Sequence, residues 1–378
     1  MESEIINFGK VWLSVLVSLW YCYYILGKFV TKGIPRLVGL LPIVCLFLSL
    51  PFMLSSIHLG GTTAFFVTWL ANFKLLLFAF GKGPLCSDPS MSLGRFLAVA
   101  CLPIKIQHGK TRENTSQSSP QNGRVEENPV PKKPKNGQKS PRNYAIKALL
   151  LAMLVRIYDY SDHIHPQIIM ILYCFHVYFC LEIILAMVAS LARAFLGMEL
   201  EPQFDEPYLA TSLQDFWGRR WNIMVTSILR PTVYEPVLAV AARITGRKWA
   251  PLPAVLGTFL VSAIMHELIF YYLGRVKPTW EITWFFVLHG LSLAIEIGLK
   301  KALTGKFRLH RMISGPLTVG FVMFTGLRLF FPQLLRCKAD KRALEEYAAV
   351  GAFVKNVGSV FCSKSMFNAS RSWYTFRS

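Results

Sequence analysis

The stretch "VSAIMHELIFYY", residues 261–272, puts His266 and Glu267 side by side within an apolar run, with Ser262 one helical turn before the histidine. An imidazole and a carboxylate at bilayer depth are costly, so a polar cavity or pathway beside them is the default expectation. The zinc-protease pattern HExxH requires a second histidine at position 270, which is Phe270. No GxSxG nucleophile turn occurs, HxxxxD is missing, and Asp162-His163 is followed by Ile164 rather than a second histidine. The chemistry left for His266 is general-base work, taking a proton from a hydroxyl that reaches it through lipid.

The other seven of the eight histidines carry weaker signals. His108 lies in a linker, His163 and His165 in a polar turn, and His310 in a basic loop, while His58 and His176 are lone residues at or within apolar runs. His289, in "FVLHG", is a second intramembrane imidazole. With Gly290 after it, it either allows another helix to approach closely or lines the same cavity as His266.

A second cluster is "FWGRRWN", residues 216–222. Phe216, Trp217 and Trp221 suit the layer where aromatic belts meet the membrane–water interface. Arg219, Arg220 and Arg230 offer fixed charge to a phosphorylated ligand such as coenzyme A. The same residues would also serve to anchor a re-entrant helix. The Asn222 amide has the chemistry to donate to a developing oxyanion or to orient a substrate carbonyl.

The elements that must position these residues are membrane helices. Hydrophobic residues make up 53% of the 378 and charged residues 16%, with a mean hydropathy of +0.40, well away from the ~25% charge of an ordinary soluble domain. Runs at 11–26, 37–57, 62–80, 168–191, 254–273, 280–299 and 313–331 approach the roughly 20 residues that span the hydrocarbon core, and a shorter run at 144–157 is the candidate eighth. The first run is followed by further spans and reads as a retained helix rather than a cleaved leader. The fold class is therefore all-α, a polytopic bundle of about eight helices. The net charge of +20 sits in loops between spans, where it orients the chain and does not point to nucleic acid. Eight scattered cysteines without a CxxC pair make neither a zinc site nor a disulfide framework.

Lys28, Lys32 and Arg36 between the first two runs place that loop in the cytosol and the N-terminus in the lumen. Residues 105–142 carry nine Lys and Arg against three Glu in a Ser-, Asn-, Gln- and Pro-rich stretch without apolar periodicity. They read as a disordered cytosolic insert. The chain divides into N-terminal helices (1–83), this insert with its flanks (84–143), a core (144–335) and a tail (336–378). Within the core, residues 192–249 read as an interface-bound segment of short amphipathic helices. Residues 339–354 read as a surface amphipathic helix.

"SLQDFWGRRWN", followed by a His–Glu pair inside a span with 44 residues from Asn222 to His266, resembles the membrane-bound O-acyltransferase superfamily, and within it the plant wax synthase and sterol acyltransferase-like branch. The resemblance implies a tunnel within the membrane where acyl-CoA from the cytosol meets a lipid alcohol at a histidine. It implies His266 and Asn222 as catalytic residues. Trp217, Arg219, Arg220 and Trp221 are implied as substrate contacts, and Glu267 and His289, from their place inside spans, are expected as substrate-binding residues beside them. A thioester is already activated, so no metal and no cofactor beyond acyl-CoA as co-substrate is needed. The implied setting is the endoplasmic-reticulum membrane, and a homodimer is left open. A long-chain fatty alcohol is the first acceptor to expect, then a sterol, then a diacylglycerol. A transporter with a proton path through His266, Glu267 and His289 is the alternative of another class. It would draw on Glu182 and Glu296 as the further acidic residues inside spans. A lipid-binding scaffold without catalysis is a third.

The orientation has a direct check. Asn114-Thr115-Ser116 and Asn368-Ala369-Ser370 are glycosylation sequons, and a cytosolic insert predicts that Asn114 carries no sugar. An endoglycosidase-sensitive mass shift that disappears in Asn114→Gln would reverse the orientation.

Overall fold

The computed structural model describes residues 2–88, 90–103, 141–196, 203–303, 309–353 and 355. The insert, with His108 and the Asn114 sequon, and the end of the chain, with Cys362 and the Asn368 sequon, lie outside the described residues. Among the described residues all regular structure is helical. Eight helical runs are long and apolar enough to cross a membrane. Lipid offers no partner for backbone N–H and C=O groups, so long apolar segments close their hydrogen bonds within themselves.

In chain order the elements are α1 (Ser3–Phe29), α2 (Ile34–Met53), α3 (Ile57–Ala79), the short α4 (Leu93–Cys101), α5 (Pro141–Ile157), α6 (Pro166–Leu196), α7 (Ile223–Ile244), α8 (Pro251–Gly274), α9 (Glu281–Ala302), α10 (Arg311–Arg336) and α11, residues 339–353. The first four share one apolar core built on Val15, Leu19, Leu40, Phe47, Leu75 and Phe96. A second core joins α8 to α9 through Phe259, Ala263, Phe270, Ile282, Phe285 and Phe286. At Gly290 a Cβ would stand 2.9 Å from Cβ of Phe259. The glycine therefore lets α9 come closer to α8 than any other residue would, which fulfils one of the two readings of "FVLHG".

Two buried cations at one end of the first core cap helix ends. Lys74 is wholly buried, and its Nζ donates to the carbonyls of Val99 and Leu102 at 2.6 Å each, satisfying the end of α4. Arg36 donates to Val30, Gly27 and Phe78 carbonyls and lies over the Phe78 ring. Lys147 on α5 and Glu182 on α6 pair at 2.6 Å while almost fully buried. Removing one partner of such a pair strands the other charge.

The structure corrects three expectations. The count of eight holds, but its membership differs. The 144–157 run forms α5, only 17 residues and ~25 Å long against a ~30 Å hydrocarbon core. The 223–244 stretch, expected as interface-bound short helices, forms one of the eight candidate spans, continuous through the π-helical turn Arg230–Tyr234. Apolar periodicity around Arg230 and Pro231 looks broken in sequence, yet the wider turn carries the helix through. Finally, α11 exposes one face, with Lys341, Glu345 and Val350, as expected of a surface amphipathic helix, but its other face, with Ala339, Asp340, Ala343, Leu344 and Tyr347, lines the central cavity instead of only resting on the bundle.

Candidate active site

A cavity of about 1100 Å³ runs through the middle of the bundle, with walls from α3, α6, the FWGRRWN segment, α7, α8, α9, α10 and α11. Five π-helical stretches occur among the described residues. Four of them line this cavity, with Trp69 in the first, Trp217 in the second, Tyr234 in the third and Phe330 in the fourth. An extra residue in a turn rotates the following side chains off the helical face they would otherwise hold. Here it turns large aromatics inward without breaking the spans.

His266 lies on the wall of this cavity, in α8. Its Nδ1 is 2.8 Å from the Ser262 carbonyl oxygen, with Ser262 Oγ at 3.5 Å. A carbonyl only accepts, so Nδ1 carries the proton and Nε2 keeps its lone pair. Aromatic rings then hold the imidazole. Trp69 meets it edge to face at 5.0 Å, Phe286 lies at 4.3 Å and Phe330 at 6.1 Å between centroids. Among the described residues Nε2 has no protein partner, so its lone pair is open to a hydroxyl in the cavity.

Two hydrogen-bond donors in the same cavity are also unengaged. The Trp69 indole N–H is buried without an acceptor among the described residues. Asn222 sits in the left-handed region, at φ 43 and ψ 63, and its Oδ1 accepts weakly from Val225 N at 3.4 Å, capping the start of α7. Asparagine tolerates that backbone conformation better than most residues. Capping uses the oxygen and leaves the amide N–H groups pointing to no protein acceptor among the described residues.

His289 is the opposite case. It is fully buried and is not among the residues lining the cavity. The Trp217 indole donates to its Nδ1 at 3.1 Å, while its Nε2–H donates to Thr325 Oγ1 at 2.8 Å, and that hydroxyl donates onward to the Phe321 carbonyl at 2.7 Å. Both ring nitrogens are satisfied in the neutral form. His289 therefore ties the FWGRRWN segment to α9 and α10. Glu267 also faces away from the cavity, accepting from Thr283 N at 3.1 Å and Thr283 Oγ1 at 3.0 Å.

The FWGRRWN segment is itself built as a clasp. Its π-helical turn, Phe216–Arg220, follows a start at Leu213 and Gln214 whose backbone N–H groups donate to Glu296. Arg220 Nε donates to Asp215 Oδ2 at 2.8 Å, and its NH1 donates to the Asp205 and Glu206 carbonyls. Arg220 is thus committed to the fold of the loop, whereas Arg219 is exposed. Trp217 is not an interface anchor, since its ring inserts against Phe259, Phe285 and Phe286. Trp221 stacks on Phe216 at 5.5 Å. The acidic residues a transporter would use are engaged elsewhere, Glu296 in this clasp and with Lys300, and Glu182 with Lys147. Among the described residues no group of three or more His, Cys, Asp and Glu stands close enough to hold a metal ion.

Trp69 and the α11 residues of the cavity escaped sequence reasoning. An unpaired Trp inside an apolar run has no spacing signal, and α11 carries only short-range amphipathic periodicity. Glu346 on α11 does leave a trace as a carboxylate close to an apolar face. It accepts from Ile57 N at 2.6 Å, His58 N at 3.1 Å, Ser56 Oγ at 3.0 Å and His58 Nδ1 at 2.6 Å. Burial pushes its carboxyl up, but these donors outweigh burial and hold it at about 2.

Comparison with known proteins completes the picture. A family model for the membrane bound O-acyl transferase family matches residues 200–288, the span that holds both Asn222 and His266. Acyl-CoA–sterol O-acyltransferase 1 of Arabidopsis thaliana is 48% identical over 93% of this chain and 97% of its own length. The chain belongs to the membrane-bound O-acyltransferase family. Long-chain-alcohol O-fatty-acyltransferase of Simmondsia chinensis is 47% identical over 92% of this chain and 95% of its own. Probable long-chain-alcohol O-fatty-acyltransferase 1 of Arabidopsis thaliana is 44% identical over 92% and 96%. This membrane-bound O-acyltransferase is a multi-pass membrane enzyme, and acyl-CoA with an alcohol or sterol is the substrate pair its relatives imply.

The two histidines make separable predictions. His289→Leu leaves the Trp217 indole without its acceptor. It is predicted to destabilise the protein by about 1–3 kcal/mol, read as a lower midpoint in thermal unfolding of the purified protein in detergent. His266→Gln is predicted to keep the midpoint within a few degrees while lowering kcat by about 10²–10⁴. A His289→Leu protein as stable as wild type yet inactive would move His289 into the chemistry.

Proposed function

We propose that this chain transfers a fatty acyl group from acyl-CoA to the hydroxyl of a long-chain alcohol, with His266 Nε2 as the general base, in the endoplasmic-reticulum membrane. The observation that carries the proposal is one unprotonated imidazole nitrogen facing an apolar cavity while the other is held on the Ser262 carbonyl. The alcohol oxygen attacks the thioester carbon and gives its proton to Nε2. The C–S bond then breaks, and coenzyme A takes the proton as its thiol. The Asn222 amide and the Trp69 indole are the donors available to the oxyanion.

Acyl-CoA would approach at the FWGRRWN end. Arg219 is exposed there, and Arg230 lies at the cavity wall, largely exposed and paired with Glu235 at 3.4 Å. Both can meet phosphate oxygens. The lipid alcohol and the ester product would travel in the bilayer, against which α8 and α9 turn Leu260, Ile264, Leu291 and Ile295. A sterol acceptor is the second reading, favoured by the Arabidopsis thaliana relative named for sterol acylation at 48% identity.

The test uses microsomes from cells lacking their own lipid acyltransferases, expressing this chain or His266→Ala at equal level. Each receives labelled acyl-CoA with a fatty alcohol, a sterol or a diacylglycerol in parallel. The fatty-alcohol lane is predicted to give the strongest ester band, and His266→Ala is predicted to abolish it. Ester only in the sterol lane would transfer the assignment to the second reading, and ester in no lane would overturn both.

A further inference from the structure

The cavity does not end at His266. It continues along α3, past Phe65, Thr62 and Gly61, to a second polar cluster that acyl transfer does not use. Tyr347 of α11 is its hub, with its hydroxyl 3.1 Å from His58 Nε2, 3.1 Å from His176 Nε2 and 3.6 Å from Cys180 Sγ. His58 belongs to α3, and His176 and Cys180 belong to α6. Rings stack through the cluster, with His176 between Tyr158 at 5.6 Å and Tyr347 at 5.8 Å.

Counting protons shows what the cluster lacks. His58 Nδ1–H donates to Glu346, and Tyr347 has one hydroxyl proton for two imidazole neighbours. If Tyr347 donates to His58, His176 donates back from Nε2 and its Nδ1 is a bare acceptor. If His58 carries a proton on both nitrogens and donates from Nε2 to Tyr347, then Tyr347 donates to His176 Nε2 and that Nδ1 is an unpaired donor. Either way His176 Nδ1 has no partner among the described residues, and the Tyr158 hydroxyl has none there either. Both residues are more than nine-tenths buried, with relative exposures of 9% and 7%. Unmet buried polar groups carry a free-energy cost that a structural cluster would have been built to avoid. Glu346 and Arg342, with their partners at the start of α3 already in place, dock α11 there without this cluster.

The missing partner is neutral. Glu346 is offset by His58 and three further donors, and of the two cations on the same helix Lys341 is exposed while Arg342 is directed to the Leu273, Cys337 and Ser55 carbonyls. Among the described residues of this cluster a carboxylate or phosphate would find no free cation. A hydroxyl, which both donates and accepts, suits an imidazole and a phenol in either tautomer. We propose that this cluster is a second hydroxyl-binding subsite, which takes an oxygen carried along the chain of a substrate whose reacting end lies at His266. The inference rests on the acyl-transfer reading above. His58 precedes Trp69, the neighbour of His266, by 11 residues on the same helix, which is roughly 16 Å at the helical rise. An extended chain covers that distance in about a dozen carbon–carbon bonds. The substrate class is thus a long chain hydroxylated far from its reacting group, either a diol acceptor or a hydroxyacyl-CoA donor.

The test is a positional series in microsomes carrying the full chain. One arm offers plain acyl-CoA with primary alcohols bearing a second hydroxyl at positions from about 8 to about 16. The other offers a plain alcohol with the matching hydroxyacyl-CoA series, and a plain alcohol with plain acyl-CoA is the reference. The subsite predicts a peak in kcat/KM near the middle of one series, about fivefold to tenfold above its ends, and the arm that peaks identifies the chain lying there. Tyr347→Phe and His176→Phe, compared as ratios to the plain reference, are predicted to flatten that peak. A flat wild-type profile in both arms with ester still formed from the plain pair would overturn the subsite alone. A peak that survives both variants would overturn it as well. Loss of ester from the plain pair would overturn the acyl-transfer reading and this inference with it.

Discussion

The contact between His266 Nδ1 and the Ser262 carbonyl, 2.8 Å within one turn of α8, sets the chemistry of the cavity. It is a local bond, made by the helix to its own side chain, so the tautomer does not depend on a distant carboxylate as it does in a serine-protease triad. Everything around it acts to keep the remaining nitrogen open and the ring still. Three aromatic rings brace the imidazole, and π-helical turns in α3 and α10 direct two of them, Trp69 and Phe330, inward. The Trp69 indole, buried without an acceptor among the described residues, and the half-buried Asn222 amide are the kind of unpaired donors that recur where a substrate supplies the missing partner.

The contrast with His289 shows how the same residue type is used for two purposes one helix apart. His289 is satisfied at both nitrogens and joins three elements, while His266 is satisfied at one and joins none. Trp217 connects the two environments, lining the cavity with its ring and anchoring to His289 with its indole N–H. The FWGRRWN segment is thereby a structural clasp first, held by Asp215, Glu296 and His289, and a substrate surface second. Its two arginines divide the same way, Arg220 turned to the loop carbonyls and Arg219 to the solvent.

Much of this fold was legible from apolar run lengths, because lipid forces helices and their lengths follow from bilayer thickness. The 223–244 span was not, since Arg230 and Pro231 interrupt the apolar pattern and only a π-helical turn restores it. His266 stood out because a His–Glu pair inside a span is expensive, yet the same argument gave Glu267 and His289 a place near the substrate that the geometry does not support. Cost of burial flags a residue without saying whether protein or substrate meets that cost. Thr283 does so for Glu267, and Trp217 with Thr325 does so for His289. The residues at the far end of the cavity come from α3, α6 and α11, brought together over some 290 positions of sequence, and no local pattern announces them.

The most direct measurement is a cryo-electron microscopy structure of the full chain with a non-hydrolysable acyl-CoA analogue, its thioester replaced by a thioether ketone. The account predicts the analogue's carbonyl carbon in the cavity beside His266, with Nε2 facing the space where an alcohol oxygen would attack. The carbonyl oxygen is predicted to lie within hydrogen-bond reach of Asn222 or Trp69, and the nucleotide end at the Arg219 side. A carbonyl resting against another residue, with His266 Nε2 turned to a protein acceptor, would contradict it.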